Sequence, residues 1–122
     1  MSLESHLHEL AGIKGYKAAG IMNFTGEMLA SNSRDSSVDF DVVGATFNDI
    51  FRSAHEAAGK VGLMAVTETT ITTPNGVIIM MCSGVNSRAH IHTITVLDKD
   101  GNAALTRMTM QKHLNGIVAE LA

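Results

Sequence analysis

A chain of 122 residues is long enough to withdraw roughly two thirds of its unfolded surface from water and too short for two ordinary domains, so residues 1–122 are expected to form one domain. With 45% hydrophobic and 17% charged residues it is not a disordered tail, and a formal charge of -3 with scattered lysines and arginines excludes the basic field that a nucleic-acid partner needs. The single cysteine, Cys82, excludes an internal disulfide; no run reaches the ~20 apolar residues of a membrane span, and no basic-then-apolar leader opens the chain, so a soluble cytoplasmic protein without membrane insertion is expected.

Leu3, Leu7, Leu10 and Ala11 recur at helical spacing, and Gly12, Lys14 and Gly15 follow as stop signals, which predicts a short amphipathic helix. Residues 16–23 mix small and β-branched side chains, 24–27 read as a turn and 28–31 resume an extended pattern, so a hairpin follows. The serine-rich stretch 32–37 lacks periodicity and is expected to be a loop. Asp39 is the expected N-cap of a second helix whose apolar stripe comprises Val43, Phe47, Ile50, Phe51, Ala54, Ala58 and Val61. Residues 63–73, rich in threonine and β-branched side chains, predict a third strand, and Pro74-Asn75-Gly76 turns the chain. Residues 77–82 are apolar at every position, which requires cover on both faces of the sheet. A fifth strand is expected over 91–97, a turn at 98–102, and a last helix marked by Leu105, Met108, Leu114, Ile117, Val118 and Leu121. The order is α-β-β-α-β-β-β-α, and the strand-to-strand links are short enough for antiparallel pairing, so the fold class is α+β: one five-stranded antiparallel sheet flanked by helices.

Three local patterns carry a resemblance: Ile13-Lys14-Gly15-Tyr16 at the passage from helix to first strand, Gly26-Glu27-Met28-Leu29-Ala30-Ser31 in the hairpin, and Val96-Leu97-Asp98 with Asn102, Leu105 and Arg107 at the exit into the last helix. With the element order, these resemble the Roadblock/LC7 family, a profilin-like architecture whose members include dynein light chains, Ragulator scaffold subunits and bacterial partners of small Ras-like GTPases. The likeness spans nearly the whole chain. It departs at Ala104, where many members carry glycine, so a close approach at that helix start is not expected.

The resemblance implies a homodimer in which central helices and neighbouring strands pair, acting as a scaffold or regulator of a small Ras-like GTPase or a related signalling or motility complex. Helical geometry of about 100° per residue puts Gly44, Asn48 and His55 beside Phe51 on the flank of the apolar stripe, a seam narrow enough for a partner helix. The expected dimer interface is Gly44, Phe47, Asn48, Phe51, His55, Met64 and Val66, with the threonine-rich third strand as an edge that pairing would protect. The alternative is a PAS-like or profilin-like sensor holding a small apolar ligand between sheet and helix. That reading requires a cavity where the alanines and methionines predict a filled core.

Catalytic motifs are missing from the sequence. Gly59-Lys60 lacks the preceding glycine and following Ser/Thr of a phosphate-binding loop, and His55-Glu56-Ala57-Ala58-Gly59 has glycine where a zinc protease needs its second imidazole. His90 and His92, two apart in a strand, point to one face with Ile94 and Val96; they are read as hydrogen-bonded strand residues, and as metal ligands only if a third donor converges. His6 and His8, two apart on a helix, diverge. Cys82 has no basic residue near it in sequence, no serine sits in a nucleophile elbow, and neither Arg52 nor Arg107 lies in a finger motif. No catalytic, cofactor-binding or metal residue is assigned on this basis, and no enzyme activity is expected.

Overall fold

A computed structural model describes residues 2–122. A 3-10 turn, Glu4–Leu7, runs into the short helix α1, His8–Ala11; the hairpin β1, Tyr16–Asn23, and β2, Met28–Ser33, leads to the long helix α2, Phe40–Lys60. Then come β3, Glu68–Thr73, β4, Gly76–Cys82, β5, Ile91–Asp98, and the closing helix α3, Ala103–Leu121. The strands form one antiparallel sheet in the order β2-β1-β5-β4-β3. None of the helices among the described residues is long and apolar enough to cross a membrane.

The unbroken apolar run of β4 divides between two cores, as strand alternation demands. Ile79 and Met81 join Tyr16, Ile21, Leu97 and the α1 and α3 residues Leu10, Met110, Leu114 and Ile117 on one face. Met80 and Cys82 join Met22, Ile94 and the α2 residues Phe40 and Phe51 on the other. The sheet thus lies between two helical layers, as the sequence predicts.

Element ends move for local reasons. The strand expected over 63–73 begins only at Glu68, because Gly62 and Met64 take positive φ values of 77° and 67° and break the extended run. β2 extends to Ser33, and α3 starts at Ala103 because the Asn102 side chain accepts from the Leu105 N–H at 3.1 Å. Asp39 caps α2 as expected, accepting from the Val42 N–H at 3.3 Å. Ala104 is exposed; the close approach near this turn is made by Gly101, where a Cβ would sit 2.8 Å from the Leu97 Cβ.

α2 is rotated relative to the stripe read from sequence, and α3 keeps Leu114 and Ile117 of its stripe in the core but not the residues of its first turns. In α2 the buried positions are Phe40, Gly44, Asn48 and Phe51, while Ile50 is 46% and Val61 71% exposed. Gly44, Asn48 and Phe51, expected on an intermolecular seam, therefore face the chain's own sheet. A Cβ on Gly44 would lie 2.7 Å from the Met28 Cε and 3.1 Å from the Met22 Sδ, so the close approach this glycine allows is helix to sheet. In α3, Thr106 and Thr109 are buried while Leu105 and Met108 are exposed. Their hydroxyls donate one turn back, to the Asn102 and Leu105 carbonyls at 2.8 and 2.9 Å, so their burial leaves no unpaired hydroxyl.

Two glycines give a contrast in packing. At Gly76 an added Cβ would meet the Leu97 carbonyl oxygen at 2.3 Å, whereas at Gly59 nothing lies within 4 Å. Gly76→Ala is expected to lower unfolding stability by about 1–3 kcal/mol through forced backbone displacement. Gly59→Ala should raise it by about 0.5–1 kcal/mol through helix propensity. Urea denaturation of both variants measures the difference, and equal effects would refute the packing assignment.

Candidate functional site

The β1–β2 turn, the middle of α2 and the start of β5 meet around one side chain, Asn48. The turn is shaped by Asn23, whose Oδ1 accepts from the Thr25 and Glu27 N–H groups and the Thr25 hydroxyl, and by Gly26 at φ 96°. An added Cβ on Gly26 would come 3.2 Å from the Asn48 Nδ2, so this glycine lets the turn close onto α2. Asn48 is fully buried; its Nδ2 donates to the Phe24 carbonyl at 3.0 Å, and its Oδ1 lies 2.5 Å from the His92 Nδ1.

Those two bonds fix a tautomer. Because the Nδ2 is committed to a carbonyl, the Oδ1 faces His92 and accepts, so the His92 Nδ1 carries the proton and its Nε2 keeps a free lone pair. Burial, with the charges of His90, Arg52 and His55 adding to it, pulls the His92 pKa down to about 4, so its imidazole is neutral near pH 7.

The β4–β5 connection brings His90 to the same place. Ser83 clamps the connection's ends: its Oγ donates to the Ala89 carbonyl at 2.8 Å and accepts from the Ile91 N–H at 2.9 Å. Gly84, at φ 110°, turns so that its N–H points at the Cys82 Sγ, 3.3 Å away. The His90 ring stacks on Phe24 with centroids 4.7 Å apart and planes 5° apart, and the His92 ring lies 4.6 Å from that of Phe51.

In this setting the His90 Nε2 is 3.3 Å from the Cys82 Sγ. Ligand atoms of Cys82, His90 and His92 all lie within 4.8 Å of one another. The third donor that the histidine pair lacked in sequence is thus Cys82, which has a basic neighbour in space though none in sequence. Burial pushes the Cys82 thiol up against the opposing pull of the Gly84 N–H, and burial, then the charge of His55, lowers the pKa of His90.

The trio forms part of the wall of a half-open cavity of about 500 Å³, which Phe24, Asp49, Arg52, His55 and Glu56 also line. A space between helix and sheet is therefore present where the sequence led us to expect a filled core. Of the residues expected at a dimer interface, Phe47 and Val66 are partly buried against the α2-side core and Met64 is 79% exposed. His55 lies in the cavity wall, its Nδ1 accepting from the Val66 N–H at 3.2 Å. His6 and His8 diverge as expected: His8 is exposed, and His6 is buried with its Nδ1 3.1 Å from the His113 Nδ1. Arg107 is committed to Glu68 and Thr70, both at 2.9 Å, while Arg52 is exposed at the cavity.

A pH dependence follows from neutral, buried His92. Its folded pKa lies below the unfolded value near 6.5, so its contribution to stability is complete above that value and is lost as pH falls from about 6.5 to about 4. Denaturation midpoints are expected to drop over that window. In His92→Gln the slope should flatten by up to about 1.4 kcal/mol per pH unit; an unchanged slope would contradict the assignment.

Neither a family model nor a curated protein sequence matches the chain. Solved structures do. A Roadblock/LC7 domain from Streptomyces avermitilis superposes with a TM-score of 0.84 at 12% identity, covering 99% of this chain and 98% of that one. The gliding protein MglB from Thermus thermophilus gives 0.82 at 14% identity over 98% and 89% of the two chains, and an MglB with tetrameric arrangement gives 0.82 at 13% over 95% and 85%. These superpositions, together with the five-stranded antiparallel sheet between its helical layers, establish that the chain has the Roadblock/LC7 fold.

Proposed function

We propose that this chain is a cytoplasmic, single-domain homodimeric scaffold that binds a small Ras-like GTPase or a related signalling or motility complex and modulates its nucleotide cycle or location. The observation that carries the reading is an uncovered apolar surface continuous with an open strand edge. α2 packs chiefly over β1 and β2. The other half of that sheet face presents Ile71, Ile78 and Val96, and the adjoining flank of α2 presents Val43, Phe47, Ile50 and Ala54, all only partly buried or exposed. β3 lies at the sheet edge with a single strand neighbour, β4. Apolar area beside unpaired strand hydrogen-bonding groups favours a second copy related by a two-fold axis, β3 against β3 and α2 against α2.

The self-association surface then combines the outer part of the α2 stripe, Val43, Phe47, Ile50 and Ala54, with the approach to β3; it keeps Phe47, Met64 and Val66 of the expected interface and leaves Gly44, Asn48 and Phe51 to the chain's own core and His55 to the cavity wall. The tetrameric arrangement described for one MglB structure supports association among copies of this fold, and the gliding protein supports a motility setting. Modulation of a GTPase would act by repositioning that protein's own groups, because neither Arg52 nor Arg107 lies in a finger motif and Arg107 is held by Glu68 and Thr70 within the chain.

A second reading, a small-molecule sensor, is favoured by the cavity between α2 and β5. Native mass spectrometry separates the two: a bare dimer supports the scaffold, and a retained organic molecule supports the sensor.

Sedimentation of the wild-type chain is expected to give a dimer, and Ile50→Glu with Ile71→Lys a folded monomer whose self-affinity is at least about 100-fold weaker. A wild-type chain that sediments as a compact monomer would overturn the reading. Small Ras-like GTPases encoded in the same genome, passed over the immobilised protein, should include one that is retained and whose hydrolysis rate changes. Retention of none, with rates unaltered, removes the partner assignment while leaving the dimer to its own test.

A further inference from the structure

The trio of Cys82, His90 and His92 has a property that the scaffold reading does not use: its ligand atoms converge, and its surroundings are arranged as a metal site requires. Zinc bound by one thiolate and two imidazoles, at about 2.3 Å and 2.0–2.1 Å, sets sulfur and nitrogen roughly 3.5 Å apart in a tetrahedron. The Cys82 Sγ and His90 Nε2 already stand 3.3 Å apart, and the full trio falls within 4.8 Å.

Three features beyond proximity support binding. The Asn48 Oδ1 accepts from the His92 Nδ1–H, the outer contact that orients a metal-bound imidazole and leaves the other nitrogen free. The Gly84 N–H points at the Cys82 sulfur, a donor that stabilises the thiolate. Stacking on Phe24 holds the His90 ring. The trio borders a cavity with room for a fourth ligand, and Asp49 and Glu56 in its wall outweigh the single positive charge of Arg52.

We propose that Cys82, His90 and His92 form a binding site for a thiophilic divalent cation, Zn²⁺, held by the Cys82 Sγ, the His90 Nε2 and the His92 Nε2, with the fourth position open to the cavity. Binding replaces the thiol S–H bond with a sulfur–metal bond and releases one proton to solvent; both histidines bind as neutral imidazoles and release none. Asn48 acts as a positioning residue, since it touches the His92 ring and not the metal. The site would tie the β4–β5 connection to the start of β5, beneath α2.

The test is titration of the purified, metal-stripped chain with Zn²⁺ and with Co²⁺ as a spectroscopic probe. One equivalent of Co²⁺ should give thiolate-to-cobalt charge-transfer absorption and the visible bands of tetrahedral cobalt, Zn²⁺ should bleach both, and about one proton should be released per metal ion. Cys82→Ser should abolish the charge-transfer band, and Cys82→Ser and His90→Ala should each weaken Zn²⁺ binding at least about 100-fold, with circular dichroism confirming that each metal-free variant is folded. His113→Ala, in the separate histidine pair between the 3-10 turn and α3, should bind as wild type. Asn48→Asp keeps an acceptor for the His92 Nδ1–H and should retain affinity, whereas Asn48→Leu should lose about 10–100-fold. Absence of the charge-transfer band in the wild type, or binding that survives Cys82→Ser and His90→Ala but is lost in His113→Ala, overturns the proposal.

Discussion

The amide of Asn48 is the interaction on which the rest of the structure turns. It is fully buried, and it bonds at once to the backbone of the β1–β2 turn and to a histidine of β5. Leaving either partner unpaired in that interior costs about 1–3 kcal/mol, so the rotation of α2 about its axis is set by where this amide can be satisfied. Gly44, one turn earlier, removes the Cβ that Met28 and Met22 would otherwise strike, and Phe51 follows on the same side. A helix with one polar and one missing side chain on its inner face must show part of its apolar stripe to the outside.

That rotation links packing to function at two sites. On the outside it leaves Ile50 exposed and Val43, Phe47 and Ala54 only partly buried, and with Ile71, Ile78 and Val96 they make the surface proposed to meet a second copy. On the inside the same amide holds His92 in one tautomer beside His90 and Cys82, in the wall of a cavity that the helix only partly covers. The α3 layer is built by similar logic: Thr106 and Thr109 are buried because their hydroxyls return to the helix backbone, and Arg107 reaches Glu68 and Thr70 to tie α3 to the edge strand.

Scaffold and metal site are compatible because they use different flanks of α2 and different ends of one sheet face: Ile78 pairs with Val96 toward one end of the β4–β5 ladder, and Cys82 pairs with His92 at the other. Association would employ the outer flank of α2 and the edge of β3. The cysteine–histidine trio lies at the other side of α2, where the β1–β2 turn and the β4–β5 connection meet. A cation there would rigidify the connection without occupying the association surface.

The sequence by itself determined the fold class, the element order, the Asp39 cap and the double-faced cover of β4, because each depends on local periodicity or on a capping side chain within a few residues. It read His90 and His92 as two positions of one strand, whereas β5 begins at Ile91 and His90 belongs to the β4–β5 connection. Only the tertiary structure decided which side of α2 turns inward, since hydrophobic pattern counts Gly44 and Asn48 as surface, while packing distance and a buried amide pair make them core. Only it brought Cys82, eight residues before His90 along the chain, within 3.3 Å of that ring, and it opened a cavity where composition pointed to filling. Contacts between strands and a helix far apart in sequence leave no local signature. Their outcome depends on the registers between β4 and β5 and between β1 and its neighbours, and on one asparagine finding its partners.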